Sequence, residues 1–175
     1  MATGSVLLPI AAAVTPDGTS GNEGPAIQRV KSSSAAPAPF FLQAAFDAGT
    51  SERIMWAFRM PADYFGTPVL KIQYKMASAT SGNIRWSCRV AAVTPSVDTT
   101  DLDAKTFASP VEVTSAAPGS PAGRLGEVSV PMTTNDSLAA NDYAVVYIAR
   151  FANDAADTAT GDCEVVAVTL EYQTS

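Results

Sequence analysis

The chain has 175 residues and a mass of 18.1 kDa, a length that favours one domain with a substantial buried core. Only 16% of its residues are charged, against roughly 25% in a typical soluble domain, and 47% are hydrophobic. Residues 1–97 carry a charge of +3 and residues 98–175 a charge of −9, a balance opposite to that of a nucleic-acid-binding protein, so we expect no nucleic-acid partner.

The first 39 residues differ in composition from the rest and predict an extended N-terminal arm with a linker. Turn-forming residues dominate 15–25, and Ser, Ala and Pro fill 32–39 in the manner of an extended linker. Short apolar pieces at 6–10 and 27–30 are too small to form a core alone, although they could add strands to one or reach a neighbouring subunit. An ordered arm is favoured over a disordered terminus, because these apolar residues would otherwise lie in water.

From Phe40 onward, apolar and polar residues alternate in short segments that are separated by turn-forming residues. The predicted strands span residues 40–47, 53–60, 68–77, 82–93, 107–114, 124–132, 141–150 and 163–173. This pattern predicts an all-β, antiparallel eight-stranded jelly-roll sandwich over residues 40–175, with a seven-stranded immunoglobulin-like sandwich as the alternative. The one helical candidate is a single turn at 102–107.

The alternation also bears on the two cysteines. Cys88 shares the inward phase of its strand, whereas Cys163 falls out of phase with the inward Val166 and Val168. Opposed phases predict two free thiols and folding in a reducing compartment. The sequence shows no convincing signal peptide, and no apolar run approaches the roughly 18 residues that cross a membrane, so we expect no membrane partner.

Catalytic chemistry has few candidates in this sequence. The absence of histidine excludes triads that use imidazole, and no cysteine spacing suits a metal site. The acidic residues of 98–103 fall in one loop and those of 154–162 in another, whereas glycoside hydrolases use carboxylates that face each other across a cleft. Both loops read as solvated turns, with a structural calcium ion as the alternative. We therefore predict no enzyme, no catalytic residue, no cofactor and no metal site.

Four basic residues occupy outward phases of two successive predicted strands: Lys71, Lys75, Arg85 and Arg89. They form one positive patch if those strands make a hairpin, and the patch divides if the strands enter opposite sheets. Such faces suit docking on an acidic surface or on another subunit, and a solubilising outer face is the alternative. Together with apolar residues of the arm they form the predicted capsid or subunit interface; those apolar residues are Val6, Leu7, Leu8, Ile10 and Ile27.

The aromatic residues mostly take inward or near-inward phases, which predicts core positions for Trp56, Phe58, Tyr74, Trp86, Tyr147 and Tyr172. A sugar-stacking platform would need aromatics on a loop or an outward face. Tyr64 and Phe65, in a turn between two predicted strands, are the one pair placed for that role.

Three segments together carry a family resemblance: 8–18, with the sequence LPIAAAVTPDG, 56–64, with WAFRMPADY, and 147–150, with YIAR, followed by the acidic loop at 154–162. The chain resembles small jelly-roll structural proteins of tailed bacteriophages, which occur as capsid decoration (cement) proteins and as modules of head or tail fibres. The resemblance implies a homotrimer that assembles in the bacterial cytoplasm and has no enzymatic activity. It transfers no catalytic residue.

These observations together predict a virion structural protein, a capsid decoration protein that binds the outer surface of a phage head. Its expected partners are itself and the major capsid protein, and it would clamp neighbouring capsid subunits by burying surface of low charge. The alternative is a receptor- or glycan-binding module of a head or tail fibre, which exposed distal aromatics would favour. A glycoside-active enzyme, the third reading, would need two facing carboxylates in one cleft.

Overall fold

A computed structural model describes residues 2–175 and shows two antiparallel β-sheets packed face to face. The strands are β1 (Thr3–Leu7), β2 (Ala26–Lys31), β3 (Phe40–Phe46), β4 (Glu52–Arg59), β5 (Tyr64–Met76), β6 (Asn83–Val93), β7 (Val111–Ala116), β8 (Gly126–Pro131), β9 (Tyr143–Arg150) and β10 (Cys163–Thr174). Helical structure in the described residues is limited to two 3-10 turns, at Ile10–Ala12 and Leu102–Ala104. The all-β antiparallel sandwich is confirmed, and so is the single helical turn after residue 101.

The strand order is that of a jelly roll with two added strands. Sheet A has the order β2-β3-β10-β5-β8, with β1 also paired to β10, and sheet B has the order β4-β9-β6-β7. From β3 to β10 each strand lies in the opposite sheet from the one before it, except that β6 and β7 pair within sheet B, which is the jelly-roll pattern. Each of these eight strands corresponds to one predicted segment. The predicted count of eight strands is too low, because the first 39 residues contribute β1 and β2.

The core lies between the inward faces of the two sheets, as the alternating pattern predicts. Trp86 of β6 is fully buried and contacts Phe46 of β3 and Tyr74 of β5, with ring centroids 6.2 and 5.4 Å apart. The polar atoms of these rings are satisfied, since the Trp86 indole N–H donates to Ser115 Oγ at 2.9 Å and the Tyr74 hydroxyl donates to the Ala116 carbonyl at 2.8 Å. Buried aromatics therefore tie β3, β5, β6 and β7 together across the two layers.

Residues 8–25, called the strap below, run from sheet A to the edge of sheet B and back. Leu8 and Ile10 are buried in the core, and the Trp56 indole N–H donates to the Pro9 carbonyl at 2.8 Å. Val14 then exchanges backbone hydrogen bonds of 2.8 and 3.1 Å with Met55 of β4. The predicted extended arm is thus not what the structure shows, because its apolar residues are needed to close one side of this chain's own sandwich.

The predicted linker at 32–39 is the loop of a hairpin that joins β2 to β3. Its ends are held by the Ser32 N–H, which donates to the Pro39 carbonyl at 3.0 Å. The small residues there allow the chain to reverse direction between two paired strands. A domain boundary at residues 39 and 40 stays a prediction.

Both cysteines are free thiols, and both are buried. Cys88 faces the core from β6, as predicted, but Cys163 faces the core as well. The reason is a bulge in β10 between Val165 and Ala167, which inserts one residue and reverses the alternation before Val168. The phase argument for Cys163 is therefore wrong, since a count of every second residue does not survive a bulge.

Candidate binding surfaces

The four predicted basic residues lie on opposite outer faces of the sandwich, because β5 belongs to sheet A and β6 to sheet B. On sheet A, Lys71 donates to Ser129 Oγ at 2.8 Å and lies 3.9 Å from the carboxylates of both Glu127 and Glu171. Lys75 forms a salt bridge with Glu164. The patch is therefore divided, which is the outcome expected if the two strands enter opposite sheets, and both lysines are paired with glutamates within sheet A.

On sheet B, the two arginines of β6 differ in their partners. Arg85 donates to Glu112 Oε2 at 2.6 Å and to Thr114 Oγ1 at 3.2 Å, so its charge is matched. Arg89 lies over the Tyr147 ring, with its guanidinium carbon 5.9 Å from the centroid, and it has no salt bridge within the described residues. Arg89 is therefore the arginine of β6 whose positive charge has no acidic partner on this face, whereas the charge of Arg85 is paired with Glu112.

The apolar residues predicted for the interface divide into an interior set and an exposed set. Leu8 and Ile10 are buried, and Val6 packs against the core. Leu7 and Ile27 remain at the surface, with 65% and 41% of their area exposed. Of the five apolar residues predicted for the interface, only Leu7 and Ile27 are therefore exposed enough for a partner to cover them. Their role in an interface stays a prediction.

Strand β2 and the first three residues of β3, called the wing below, form an exposed surface on which Ile27, Phe40 and Phe41 lie among the polar residues Gln28, Arg29 and Lys31. No residue of β2 is buried, and the strand pairs only with β3, so its other edge has free backbone groups. Phe40 is 60% exposed and packs against the Arg29 guanidinium, whose carbon lies 6.0 Å from the ring centroid. Phe41 is exposed on the opposite face of the same strand. The opposing sheet does not cover this part of sheet A.

An apolar groove continues the wing along the edge of β10, where β1 ends and β3 begins. Its volume is about 310 Å³, and Leu7 and Phe41 lie on its two sides. The remaining lining residues are Leu8, Pro9, Ile10, Ala11, Leu42, Val166 and Ala167. The groove adds Leu7 and Leu42 to the exposed apolar side chains of the wing, Ile27, Phe40 and Phe41.

The acidic loops behave as the turns that the sequence favours. Asp98 accepts a hydrogen bond from the Thr94 N–H at 2.7 Å, and Asp101 accepts one from the Asp103 N–H at 3.0 Å at the start of the second 3-10 turn. Over residues 2–175, no group of three or more acidic or cysteine side chains is placed to hold a metal ion. The carboxylates cap backbone N–H groups within their own loops.

The second acidic loop is held by a buried arginine that sequence analysis missed. Arg150 lies in the inward phase of β9 and donates to both carboxylate oxygens of Asp157, at 2.8 and 3.0 Å. Its remaining donors reach the carbonyl oxygens of Ala159 at 2.7 Å and of Gly161 at 2.8 Å. Both side chains of the ion pair are at least 98% buried. Because all these partners lie in residues 157–161, Arg150 fixes the path of the loop that follows β9.

The outer face of sheet B carries an aromatic residue between two arginines. Tyr147 of β9 lies on this face, not in the core as predicted, yet it is only 4% exposed. Arg53 of β4 and Arg89 of β6 each place a guanidinium carbon 5.9 Å from its ring centroid, and Phe107 meets the ring edge-on at 4.9 Å. Burial raises the pKa of the Tyr147 hydroxyl, and the two guanidinium groups oppose this shift. The phenol therefore stays neutral.

An open pocket of about 320 Å³, called the Arg53 pocket below, adjoins this cluster where β4 begins and β9 ends. The antiparallel pairing of Glu52 with Arg150 brings the two strand ends together. The pocket is lined by Ser51, Arg53, Phe151, Asn153 and Asp154. Asn153 and Asp154 belong to the loop after β9, whose later part, residues 157–161, is held by Arg150.

The aromatic pair proposed as a sugar platform is divided by the structure. Tyr64 and Phe65 begin β5 instead of lying in a turn, and Tyr64 is buried with its hydroxyl donating to the Gly66 carbonyl at 2.7 Å. Phe65 points outward and is 54% exposed. One exposed ring remains of the two, which does not make a stacking platform.

No protein-family model matches the chain, and no curated protein matches it in sequence. Among solved structures, similar folds include a β-sandwich carbohydrate-binding module described as promiscuous in specificity (10% identity, TM-score 0.42, 97% of this chain and 56% of that one). A second is the C-terminal CBM6 of LamC from Zobellia galactanivorans, with 10% identity and a TM-score of 0.43 over 97% of this chain and 100% of that one. A third is the mannan-recognising module TmCBM27, with 14% identity and a TM-score of 0.41 over 98% of this chain and 99% of that one. The chain spans just over half the length of the first of these. The likeness is too weak to carry any ligand over to this chain.

Through the described part of the chain, none of the helical segments has the length and apolar character to span a membrane.

Proposed function

We propose that the protein is a virion structural protein that decorates the outside of a phage capsid, with the wing as its docking surface. The observation that carries this proposal is a six-residue strand, β2, without a buried residue beside the exposed rings of Phe40 and Phe41. A monomer gains little from such a strand, whereas a partner would bury both of its faces. The sequence resemblance to phage decoration proteins supports the same reading.

The proposed partners are the major capsid protein and further copies of this chain, arranged as a homotrimer. Free backbone groups along the outer edge of β2 would allow a partner to add a strand to sheet A. The apolar groove beside Leu7 extends the contact beyond that edge. The proposed location is the capsid surface of the virion, after assembly in the bacterial cytoplasm, and no catalytic step is part of this function.

Binding to purified capsids tests the proposal, with Ile27→Ser and Phe40→Ser as the variants. Both side chains are exposed, so the fold should be retained while affinity falls by more than about tenfold, as for central residues of an interface. Phe65→Ser is the matched control, because Phe65 is as exposed as Phe40 but lies at the start of β5. Equal loss for all three variants, or unchanged occupancy with either wing variant, would contradict the wing as the docking surface.

The second candidate function is a glycan-binding module, and the Arg53 pocket is the observation that favours it. Hydroxyl, amide, carboxylate and guanidinium groups converge there beside the Phe151 ring, which is the mixture that recognises a polyhydroxylated ligand. The pocket lies at the edge of sheet B, whereas the wing belongs to sheet A. Variants of one surface should therefore leave binding at the other unchanged.

A further inference from the structure

The Arg53 guanidinium is a positive charge without a counterion at the mouth of a pocket in an acidic protein. Within residues 2–175 it forms no salt bridge, and its Nε atom is buried without a hydrogen-bond partner. Arg89, on the other side of the Tyr147 ring, shows the same two features. Arg53 also lines the pocket, so the negative group of a ligand bound there would supply the counter-charge that the guanidinium lacks.

A second lining residue, the acidic Asp154, disfavours a simple anion. Asp154 accepts the Ala156 N–H through Oδ1 at 2.8 Å, which leaves its other carboxylate oxygen available to a ligand. That oxygen repels an inorganic anion but accepts a hydrogen bond from a hydroxyl group. Ser51 and Asn153 add further groups that donate to and accept from hydroxyls. The pocket therefore suits a ligand with a negative charge at one end and hydroxyl groups at the other.

The volume of the pocket and its one aromatic side chain narrow the class of ligand further. The volume of about 320 Å³ lies at the low end of the range for small-molecule sites, roughly 300 to 1,000 Å³, and suits one six-membered ring with its substituents. Phe151 supplies an aromatic side chain against which the C–H face of a sugar ring can pack. Its backbone N–H donates to the Arg85 carbonyl at 2.8 Å, which holds the residue in position.

We infer that the Arg53 pocket binds a carboxylated pyranose, with the carboxylate at Arg53 and ring hydroxyls at Asn153 and Asp154. The inference deepens the second candidate function, a glycan-binding module, and rests on it. It does not depend on the wing or on capsid binding.

Calorimetric titration with three small probes tests this inference: D-glucuronate, D-glucose and acetate. Glucuronate should bind the wild-type protein, with glucose and acetate each at least about tenfold weaker, because either one satisfies only half of the site. Arg53→Gln should weaken glucuronate at least about tenfold and leave glucose unchanged. Arg124→Gln is the matched control, because Arg124 is an exposed arginine in the loop between β7 and β8 and does not line the pocket; this variant should bind like the wild type.

The remaining outcomes separate the inference from the function beneath it. Glucose binding as tightly as glucuronate would keep the glycan-binding function and overturn the acidic class. Acetate binding as tightly would overturn the inference in favour of a plain anion site, as would an Asp154→Asn variant that bound all three probes like the wild type. An immobilised panel of neutral and acidic glycans serves as the second measurement. A panel without any binding contradicts the glycan-binding function itself, and binding to neutral glycans alone contradicts the inference only.

Discussion

Replacing Leu8 by alanine tests whether the strap is part of the fold. Leu8 is only 2% exposed, belongs to the main core cluster, and donates its backbone N–H to the Val168 carbonyl at 2.9 Å. Removing its side chain leaves a cavity between the sheets, and buried leucine-to-alanine changes cost about 2–5 kcal/mol. With a urea m-value of about 2 kcal/mol/M, a loss of about 3 kcal/mol lowers the unfolding midpoint by roughly 1.5 M.

The adjacent residue gives a matched control. Leu7 is also a leucine, one position earlier in the same segment, but 65% of its area is exposed. Leu7→Ala should therefore change the free energy of unfolding by no more than about 0.5 kcal/mol. Both variants replace a leucine by alanine at adjacent positions, so a difference between their free energies of unfolding reports the difference in burial.

Urea unfolding followed by tryptophan fluorescence is the assay, because Trp56 is hydrogen-bonded to the strap and Trp86 lies in the centre of the core. Measurements at two protein concentrations separate folding from self-association. If Leu8→Ala unfolded within about 0.5 kcal/mol of Leu7→Ala, the strap would be a passive segment and the assignment of Leu8 to the core would be refuted.

Two further predictions concern buried ionisable groups. Asp157→Asn leaves the buried Arg150 without its counter-charge and should lower the free energy of unfolding by about 3–5 kcal/mol. The control, Asp154→Asn in the same loop, should change that free energy by no more than about 0.5 kcal/mol. Equal changes for the two variants in chemical denaturation would contradict the ion-pair role of Asp157. Burial raises the pKa of the Cys88 and Cys163 thiols, so above about pH 8.5 the unfolded chain releases protons that the folded chain retains, and stability should fall as pH rises. This decline between about pH 8.5 and 9.5 should be smaller in a Cys88→Ala/Cys163→Ala variant, and an identical slope would be inconsistent with buried thiols in the native state.

The strands from β3 to β10 were predictable because each is an apolar-rich segment next to turn-forming residues, and β5, β6, β8 and β10 also alternate apolar and polar residues. Strands β1 and β2 are about as short as β7 and β8, but they adjoin the turn-rich strap and the Ser, Ala and Pro residues of 32–39, and nothing in the sequence identifies β10 and β3 as their partners. The inward position of Cys163 depends on a bulge whose place in β10 the alternation does not indicate.

The Arg53 pocket could not be predicted, because its walls come from segments about a hundred residues apart that meet only through the pairing of β4 with β9. Arg150 was equally hidden. Arginine is rarely buried, so the residue type indicates a surface position although the phase points inward, and only the carboxylate and carbonyl partners explain its burial. Tyr147 was misplaced for a related reason, since two arginines and Phe107 cover it on the outer face. The alternation of apolar and polar residues predicts which side chains are buried between the two sheets. It does not predict which side chains on an outer face are covered by their neighbours.

The pairing of β1 with β10 sets an order of events during synthesis. Thr3 pairs with Gln173 and Leu7 with Thr169, so β1 leaves the ribosome well before its partner β10 has been made. Contacts between such distant segments slow folding, and unpaired apolar strands are prone to aggregate while they wait. The yield of folded protein in a cell therefore depends on how well β1 and the strap are shielded, by a chaperone or by slow release, until translation reaches β10.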